Sequence, residues 1–390
     1  MSRAEIVVDV AAIRHNVTRL RRHVGVPLMA VVKADGYGHG LVPAARAARE
    51  GGAEWLGVAS LDEALALRES GDTGRVLCWL LVPAEDPTPA VLQGVDVTAY
   101  TLADLDRLAE VARTTDVRPR VQLKVDTGLS RGGATLAEWP ALVARAHELE
   151  RAGLARITGL WSHFSSSEEP DDPANEAQEK VFREALDLAA EAGLRPEVRH
   201  LANSAGALLR PSSRFDLVRC GIASYGLDPA PGLSPDLGLV PAMTVRADLA
   251  LVKEVDAGAQ VSYNHTWTAE RPTTLGLVPV GYAEGISRLA GNRAEVLVAG
   301  ERRPVRGRIC MDQFVVDLGG DHPEPGSDVV LWGTGAQGEP TAHDWAAASE
   351  TICYEIVTRI GGRMTRRYVD SDAPALPGGT PGQTAGEERR

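Results

Sequence analysis

The chain contains few cysteines, few aromatic residues and no long apolar run. Its four cysteines in 390 residues, Cys78, Cys220, Cys310 and Cys353, lie too far apart for a zinc site or a disulfide framework. We therefore expect free thiols buried in apolar segments, no metal site and a reducing environment. Aromatic residues make up only 5% of the chain, and no run reaches the roughly 18 apolar residues that a membrane-spanning helix needs.

Basic residues are also in deficit, since Lys and Arg total 41 against 53 Asp and Glu, for a formal net charge of −12. An acidic chain argues against nonspecific binding to nucleic acid or to anionic membranes. The first ten residues, MSRAEIVVDV, lack the apolar core of a secretory signal, so we expect a cytoplasmic protein. The share of hydrophobic residues, 44%, is typical of a folded globular protein, and the length predicts two domains.

Residues 5–227 alternate short β-branched runs with longer runs rich in Ala, Leu, Glu and Arg. The first of the short runs, at 27–34, 55–60 and 75–82, predict strands. Alternation at this spacing is typical of parallel strands joined by crossover helices. About eight such units fit into this length, so the pattern predicts a (β/α)8 barrel over residues 1–230.

The texture of the sequence changes after a Pro-, Gly- and Ser-rich linker at 228–238. Short strand-like runs separated by turn residues predict a second domain over 231–370. One helical stretch is predicted near its end, at 341–362, and the Pro- and Gly-rich tail at 371–390 is expected to be disordered. The predicted fold class is therefore α/β plus β, an N-terminal (β/α)8 barrel followed by a mostly β domain.

Lys33 is the first candidate for chemistry. It follows an apolar strand and opens the Gly-rich turn 33–40, at the strand end where barrels of this type place functional residues. Burial there would lower its pKa and make it an amine nucleophile. A lysine that extends from the strand end into solvent is the alternative, and spacing by itself does not choose between the two.

A set of ordered motifs is specific where Lys33 by itself is not. Together they resemble the alanine racemase family, and the resemblance covers about residues 5–369. The segments that carry it are AVVKADGYGHG (30–40), LKVDTGLSRGG (123–133), HLANSAG (200–206), VRCGIASYG (218–226), VSYNHTW (261–267), VGYAEGISR (280–288), GRICMDQ (307–313) and TICYEIVTRIGGR (351–363).

The resemblance implies a pyridoxal 5'-phosphate cofactor that Lys33 holds as a Schiff base. Arg219 matches the arginine that faces the pyridine nitrogen, where its permanent charge keeps that nitrogen unprotonated and limits side reactions. His163, together with Arg219, is implied to connect to Tyr263. The groups implied to hold the phosphate are Tyr37, Ser204, Tyr354 and the backbone N–H groups near Gly221 and Ile222. For Ser204, the residues by themselves favour a helix N-cap instead.

Racemisation needs one group on each face of the substrate Cα to exchange the proton. The resemblance assigns these two roles to Lys33 and Tyr263. Because Tyr263 falls in the second domain, the family pattern implies a homodimer in which that domain of one subunit covers the barrel of the other. Each active site is then shared between two subunits.

The resemblance also implies how alanine is held. Arg131 and the backbone N–H of Met311 would bind the substrate carboxylate, Tyr282 would narrow the entrance, and Asp312 would order its loop. Core packing is the usual role of residues such as Tyr282 and Met311. Lys124 matches a lysine that is often carbamylated in the family, and the carbamate would give Arg131 a negative partner.

The function implied is interconversion of L- and D-alanine, with D-alanine supplied to peptidoglycan. Trp161, Asn264 and Glu284 depart from the commonest family residues, so a specialised paralogue acting on serine or a larger amino acid is the main alternative. A decarboxylase of similar architecture is disfavoured by Arg219, because such enzymes place an acid at the pyridine nitrogen. A non-catalytic cofactor-binding protein is disfavoured by the motifs of the second domain.

Overall fold

The computed structural model describes residues 3–371, so the predicted tail lies, apart from Ser371, outside the described residues. Within that range the chain forms 19 strands and 11 α-helices, arranged mainly as two large sheets. No helix in residues 3–371 is both long and apolar enough to cross a membrane. The first strand, β1 (Ala4–Asp9), leads into α1 (Val10–Val24), which Asp9 caps by accepting from the Ala11 N–H.

An eight-stranded parallel sheet forms the barrel, and its strands follow chain order from β2 to β8 with β9 beside β2. The strands are β2 (Leu28–Val31), β3 (Trp55–Val58), β4 (Arg75–Cys78), β5 (Asp96–Ala99), β6 (Arg120–Lys124), β7 (Arg156–Trp161), β8 (Val198–His200) and β9 (Val218–Cys220). Backbone bonds from Arg219 N to Ala202 O and from Asp216 N to Arg199 O, both 3.0 Å, link β9 to the β8 side. The sheet is therefore a nearly closed barrel, as the alternating pattern predicted.

Helices cover the outside of the barrel, and the longer ones present an apolar stripe to it. They are α3 (Leu41–Glu50), α4 (Leu61–Glu69), α5 (Thr88–Leu92), α6 (Leu102–Thr115), α7 (Trp139–Arg151) and α8 (Pro173–Glu191). Two short elements, α2 (Lys33–Tyr37) and α9 (Ser204–Leu209), begin instead at the barrel mouth. The starts of α4 and α6 are set by reciprocal capping boxes, Ser60 with Glu63 and Thr101 with Asp104.

The predicted strand at 75–82 ends earlier than expected, at Cys78. The apolar residues continue because they serve the cavity and its rim: Trp79 lines the cavity, and Leu80 and Val82 are each 53% exposed. A continuous apolar run therefore did not separate the buried strand from the loop that follows it.

The second sheet has nine strands in the order β11-β14-β17-β16-β15-β18-β10-β1-β19. Its remaining elements are β10 (Met243–Asp248), β11 (Leu251–Val255), β14 (Thr273–Val278), β15 (Glu295–Val298), β16 (Glu301–Arg306), β17 (Phe314–Gly319), β18 (Asp328–Trp332) and β19 (Thr365–Val369), with a small pair β12 (Gln260–Val261) and β13 (Trp267–Thr268) beside it. The mostly β second unit is thus confirmed, while its predicted boundaries stay a prediction.

Two local features of this sheet differ from the simplest reading of the sequence. The first strand of the chain, β1, pairs antiparallel with β10 and parallel with β19, so the N-terminus belongs to the second sheet. The helical stretch predicted at 341–362 is broken into α10 (Ala342–Ala348) and α11 (Cys353–Arg359). Glu350, at φ 53°, has left-handed backbone between them, which ends a helix.

Candidate active site

A cavity of about 610 Å³ opens at the barrel mouth, the end where the C-terminal ends of β2–β9 meet. It brings together ten of the residues that the sequence predicted for the site, among them Lys33 and Arg219. The others are Tyr37, Lys124, Arg131, His163, Ser204, Gly221, Ile222 and Tyr354. Five of the predicted residues lie in the second domain. Tyr354 lines the cavity, whereas Tyr263, Tyr282, Met311 and Asp312 do not.

Lys33 is presented by a turn of unusual hand. The four residues after it have left-handed backbone, with φ values of 54°, 53°, 62° and 54° for Ala34, Asp35, Gly36 and Tyr37. Only one of the four is glycine, and each of the others costs about 1–2 kcal/mol in this conformation. The rest of the fold must hold the turn in place against that cost.

Three contacts clamp the turn. The carboxylate of Glu63 accepts from the Ala34 N–H at 2.6 Å, directly beside Lys33. Asp35 Oδ1 accepts from the Leu41 N–H at 2.8 Å, and Asp35 Oδ2 pairs with Arg366 Nη1 of β19 at 2.9 Å. Lys33 is thus tied both to the barrel and to the second sheet. The Arg366 pair also gives a role to the acid at position 35.

The lysine amine is surrounded by apolar surface and by positive charge. Its Nζ lies 5.7 Å from the ring centre of Trp79. Burial lowers the pKa of Lys33, and the charges of Arg131 and Arg219 lower it further, although Glu63 acts in the opposite direction. The neutral amine, which can accept a proton or attack a carbonyl, is thereby made more accessible.

The charge in the cavity is of one sign. Four cationic side chains line it, Lys33, Lys124, Arg131 and Arg219, and no aspartate or glutamate does. Between residues 3 and 371, no carboxylate lies within the 4.0 Å of an ion pair from any of these four groups. Burial, Arg219 and Arg131 together lower the pKa of Lys124 to about 8. Such a cavity is suited to bind anions.

Arg219 is almost fully buried, at 4% exposure, and is held by acceptors only. Its Nη1 donates to His200 Nδ1 at 2.9 Å, and its Nη2 lies 2.8 Å from Ser162 O, 3.0 Å from His163 Nδ1 and 3.0 Å from Leu201 O. Burial lowers the pKa of Arg219 to about 9. Burial together with the Arg219 charge holds the pKa of both His163 and His200 well below the usual range, so both rings are neutral.

Hydroxyl and amide groups gather on another wall of the cavity. The Gly221 N–H donates to Ser204 Oγ at 2.9 Å, and a Cβ at Gly221 would lie 2.3 Å from the Tyr37 hydroxyl. Only glycine fits there. Burial raises the pKa of Tyr37 and of Tyr354, so both remain neutral hydroxyl donors. The N-cap of α9 is Asn203, whose Oδ1 accepts from Gly206 N at 2.9 Å, so the N-cap alternative for Ser204 is wrong.

Tyr263 lies on an exposed, strained loop of the second domain. Its side chain is 67% exposed, and the backbone on either side is left-handed at Ser262 (φ 64°), Asn264 (φ 62°) and His265 (φ 49°). Asparagine tolerates that conformation, which accounts for an asparagine at position 264. Ser262 Oγ donates to Arg308 O at 2.6 Å and holds the loop from below.

The other three second-domain residues share an exposed rim. Tyr282 is 41% exposed and Met311 is 53% exposed. Arg363 bridges this rim, because its Nη2 pairs at 2.5 Å with both the exposed Asp312 and the fully buried Glu284. Glu284 also accepts from Gly281 N at 2.9 Å, so the acid at this departure from the family pattern is fully used.

Sequence reasoning assigned no role to several residues that the structure places in or beside the cavity: Trp79, Tyr100, Trp161, His200 and Asn203. Trp161 is the most central. Its ring lies 4.8 Å from Lys124 Nζ and 5.0 Å from the Arg219 guanidinium, and it stacks on His200 at 5.6 Å. Position at or just after a strand end was the signal that could have found these residues.

Of the four cysteines expected to be buried, Cys310 is only partly buried.

A barrel mouth that presents a lysine amine, a buried arginine and, within residues 3–371, no acidic side chain is typical of an enzyme site for an anionic ligand. Comparison with known proteins narrows that class. Residues 8–229 match the alanine racemase N-terminal domain, and residues 242–368 match the alanine racemase C-terminal domain.

Individual relatives agree with the domain matches. The chain is 52% identical to an alanine racemase of Salinispora arenicola over 374 residues, 96% of this chain and 100% of that protein. The solved alanine racemase of Streptomyces coelicolor A3(2) superposes with a TM-score of 0.93 at 53% identity, covering 95% of this chain and 98% of that one. That of Bartonella henselae, described with covalently bound pyridoxal phosphate, gives 0.85 at 29% identity, covering 95% and 100%. The chain belongs to the alanine racemase family, whose members are isomerases.

Proposed function

We propose that this protein interconverts L- and D-alanine with pyridoxal 5'-phosphate attached to Lys33, and that it supplies D-alanine for peptidoglycan in the cytoplasm. The observation that carries the proposal is the cavity around Lys33, in which four cations face no carboxylate. A phosphate dianion and a substrate carboxylate are the charges that such a cavity lacks.

The residues fit the cofactor. Tyr37, Ser204, Tyr354 and the backbone N–H groups of Gly221 and Ile222 would hold the phosphate, on the wall where a Cβ at 221 would collide with the Tyr37 hydroxyl. Arg219 would donate to the pyridine nitrogen. When bound, pyridoxal phosphate supplies an electron sink that makes the substrate Cα proton easier to remove. The Bartonella henselae enzyme with covalently bound pyridoxal phosphate supports this assignment.

Arg219 determines how strong that sink is. Even with its pKa lowered to about 9 by burial, its guanidinium is charged at neutral pH and offers only N–H donors. Its partner at the pyridine nitrogen must therefore act as an acceptor. This arrangement favours proton exchange at Cα over reactions that need a stronger sink, such as transamination.

Two bases on opposite faces of Cα would exchange the proton. Lys33, whose lowered pKa favours the neutral amine, would act on the D-face. Tyr263 would act on the L-face, with His163 and Arg219 behind it. His163 Nδ1 accepts from Arg219 Nη2, so its remaining nitrogen carries the N–H that can support a tyrosine oxygen.

A second copy of the chain would complete the site. Tyr263 is exposed and lies outside the cavity that holds Lys33, so we assign it to the cavity of a partner subunit in a homodimer. Tyr282 and Met311 lie on the exposed rim described above. Tyr282 would narrow the entrance, and Met311 would donate its backbone N–H to the substrate carboxylate. Asp312 would hold its loop through Arg363. Arg131 would bind the same carboxylate from the barrel side.

Lys124 would complete the charge balance as a carbamate. With its pKa lowered to about 8, a share of the amine is neutral near neutral pH and can add to carbon dioxide, releasing one proton. The product carries a negative charge beside Arg131 and Arg219, which now lack an anionic partner. ¹³C NMR of protein equilibrated with ¹³C-bicarbonate tests this assignment. We expect a carbamate signal in the wild type that is absent in Lys124→Arg.

Hybrid dimers test the shared site. Lys33→Ala and Tyr263→Phe chains with different tags are co-expressed, and dimers carrying both tags are isolated. If Tyr263 acts in its partner's cavity, the hybrid has one intact site of two and about half of the wild-type activity. Each parent variant is expected to be nearly inactive, since a general acid–base group contributes about 10²- to 10⁴-fold.

The matched control is a hybrid of the wild-type chain with a Lys33→Ala/Tyr263→Phe chain. Shared sites leave this dimer without an intact site, whereas sites built within one chain leave it half active. Half activity here, together with an inactive first hybrid, would contradict the proposal. Exchange of the Cα proton in D₂O with alanine and with serine, followed by NMR, decides between an alanine enzyme and a paralogue specialised for serine.

A further inference from the structure

A chain of fully buried polar side chains runs through the barrel toward Arg219. It starts at Asp96, the first residue of β5, which has no exposed surface. Both oxygens of this carboxylate accept hydrogen bonds. The donors are Arg120 Nε at 2.7 Å, Thr158 Oγ1 at 2.5 Å, Arg75 Nη2 at 3.3 Å and Gln122 Nε2 at 3.3 Å.

The next two residues have their orientation dictated by Asp96. A carboxylate accepts only, so Gln122 must turn its amide N–H toward Asp96 and its oxygen the other way. That oxygen lies 2.7 Å from His200 Nε2, which must therefore carry the proton. His200 Nδ1 is then a lone pair, and it accepts from Arg219 Nη1 at 2.9 Å.

A glycine inside a strand provides independent evidence that the barrel interior is shaped around this chain. A Cβ at Gly159 of β7 would lie 2.6 Å from both Cδ and Oε1 of Gln122. Glycine weakens a strand interior, and a close approach of another group is a usual reason for its presence. At this position, glycine leaves room for the Gln122 amide to reach His200.

We propose that Asp96 and Gln122 are positioning residues for Arg219: they set the tautomer of His200 so that it accepts from the guanidinium that would face the pyridine nitrogen. The inference rests on the proposed function for the role of Arg219 and on this structure for the chain of contacts. None of these residues touches substrate or cofactor. They act by keeping one donor of Arg219 engaged and its plane fixed.

Asp96→Asn is the sharpest test, because it preserves the shape of the side chain and replaces one acceptor oxygen by an NH₂ donor. If the new amide keeps accepting from Arg120, it turns its NH₂ toward Gln122, so Gln122 turns its oxygen to that NH₂ and its own N–H to His200. His200 Nε2 must then accept, and the proton moves to Nδ1, where it opposes the Arg219 N–H. The alternative orientation of the new amide places its NH₂ against Arg120 Nε–H, which is also unfavourable.

The direct measurement is ¹⁵N NMR of protein labelled at its 9 histidines, with His200→Asn used to assign the signal. In the wild type we expect a protonated Nε2 and an unprotonated Nδ1 on His200, with and without cofactor. In Asp96→Asn we expect the Nδ1–H form to become populated beside the Nε2–H form that Arg219 favours. Pyridoxal phosphate should bind about tenfold more weakly, as expected for one lost hydrogen bond to a charged group.

Two further variants keep the test decisive. Glu197→Gln removes the second carboxylate from the same arginines, Arg75 and Arg120, without touching Gln122, and should leave the His200 tautomer unchanged. If Asp96→Asn does not fold, Gln122→Met keeps Asp96 with its arginines and removes only the hydrogen bonds that join Asp96 to His200. Arg219, which can only donate, still selects the Nε2–H form of His200 in that variant. The expected changes are a shifted ¹⁵N signal of this N–H, because it has lost its acceptor, and weaker binding of pyridoxal phosphate.

The outcomes separate this inference from the proposed function. An unchanged His200 tautomer in Asp96→Asn overturns the positioning role, as do an unchanged His200 Nε2–H signal and unchanged cofactor affinity in Gln122→Met. If the His200 tautomer changes in Asp96→Asn but the wild-type protein never binds pyridoxal phosphate, the proposed function is wrong. The hydrogen-bond chain from Asp96 to Arg219 is then still supported. A change of tautomer in Glu197→Gln as large as in Asp96→Asn would show a general response to lost charge at the barrel floor, and would also overturn the inference.

Discussion

The two ends of the barrel carry similar basic side chains, but in the part of the chain that the structure describes these are paired with acids at one end and unpaired at the other. At the floor, defined by the first residues of β4–β7, arginines meet acids: Asp96 and Glu197 accept from Arg75 and Arg120, and Arg156 pairs with Glu197 at 2.7 Å. At the mouth, four cations line the cavity without a carboxylate. Paired charge is compatible with stability, whereas buried unpaired charge costs stability and is retained for a ligand.

The comparison teaches where function is to be sought in such a barrel. Both ends are rich in arginine, so residue type does not distinguish them. The difference is whether each arginine has a carboxylate partner. Such partners can lie up to 122 residues away in the sequence, as Glu197 does from Arg75. Substitutions at the mouth are therefore expected to change activity and ligand binding. Substitutions of floor residues that have no link to Arg219, such as Glu197, are expected to change stability.

The largest effect is expected at the mouth, from Lys33→Ala. Without the amine, racemisation should fall by at least about 10³-fold, because both the attachment point and one of the two bases are lost. The visible absorbance of bound cofactor should disappear, while thermal stability should change little. Lys180→Ala, a surface lysine on α8, is the matched control. Retention of the absorbance band in Lys33→Ala would contradict the assignment.

The next effect concerns the pH dependence that unpaired charge creates. The pKa of Lys124 is lowered from 10.5 to about 8 by burial and by Arg219 and Arg131. Between pH 8 and pH 10.5 the unfolded chain therefore binds more protons at this site than the folded chain, so this group makes stability rise with pH. The penalty is fully present below about pH 8 and is relieved as pH approaches 10.5.

Lys124→Met tests that sign in cofactor-free protein kept free of carbon dioxide. At pH 7 the variant should be more stable than the wild type by about 1–3 kcal/mol. The difference should shrink as pH rises toward 10, as measured by urea unfolding at several pH values. A constant difference across this range would show that packing, not charge, sets the effect.

Much of the fold followed from the sequence because its signals are local. Alternation of short apolar and longer amphipathic runs predicted the barrel, and short strands with turns predicted the second sheet. The structure places ten of the predicted site residues in one cavity because seven of them lie at or just after strand ends, as Lys33 and Lys124 do. In a barrel the C-terminal ends of the parallel strands meet at one mouth, and the alternation of strands and helices in the sequence predicts that topology.

The remaining features depend on contacts that no local pattern reveals. Asp96, Gln122 and His200 are separated by 26 and 78 residues, and only closure of the barrel brings them together. The left-handed turn after Lys33 contradicts the preference of three of its four residues, so propensity could not predict it. The proposed action of Tyr263 in the site of a partner subunit would be a property of two chains, and one sequence points to it only through family resemblance.

A smaller effect is expected at the floor, from Glu197→Gln. Its carboxylate pairs with Arg75, Arg120 and Arg156, and all these side chains are partly exposed, so each pair contributes modestly. We expect a loss of about 1 kcal/mol in the free energy of unfolding and unchanged kcat and KM. A drop in kcat without a loss of stability would break the division between floor and mouth. Glu184→Gln on α8, for which no ion pair is found in residues 3–371, serves as the control.

The smallest effect is expected where the two sheets meet, from Asp35→Asn. The variant loses the ion pair with Arg366 but keeps an oxygen for the Leu41 N–H, and asparagine tolerates the left-handed backbone. Because the Asp35 side chain is 53% exposed, the pair is expected to contribute about 0.5 kcal/mol. A double-mutant cycle with Arg366→Gln measures this coupling.

Asp35→Ala gives the contrast that this measurement needs. It removes both contacts from a residue with φ 53°, so stability should fall by about 1–2 kcal/mol and the cofactor should dissociate faster. If Asp35→Asn were as damaging as Asp35→Ala, the ion pair to β19 would be what holds the turn. The second sheet would then control the position of Lys33, and the activity of the mouth would depend on how that sheet is docked.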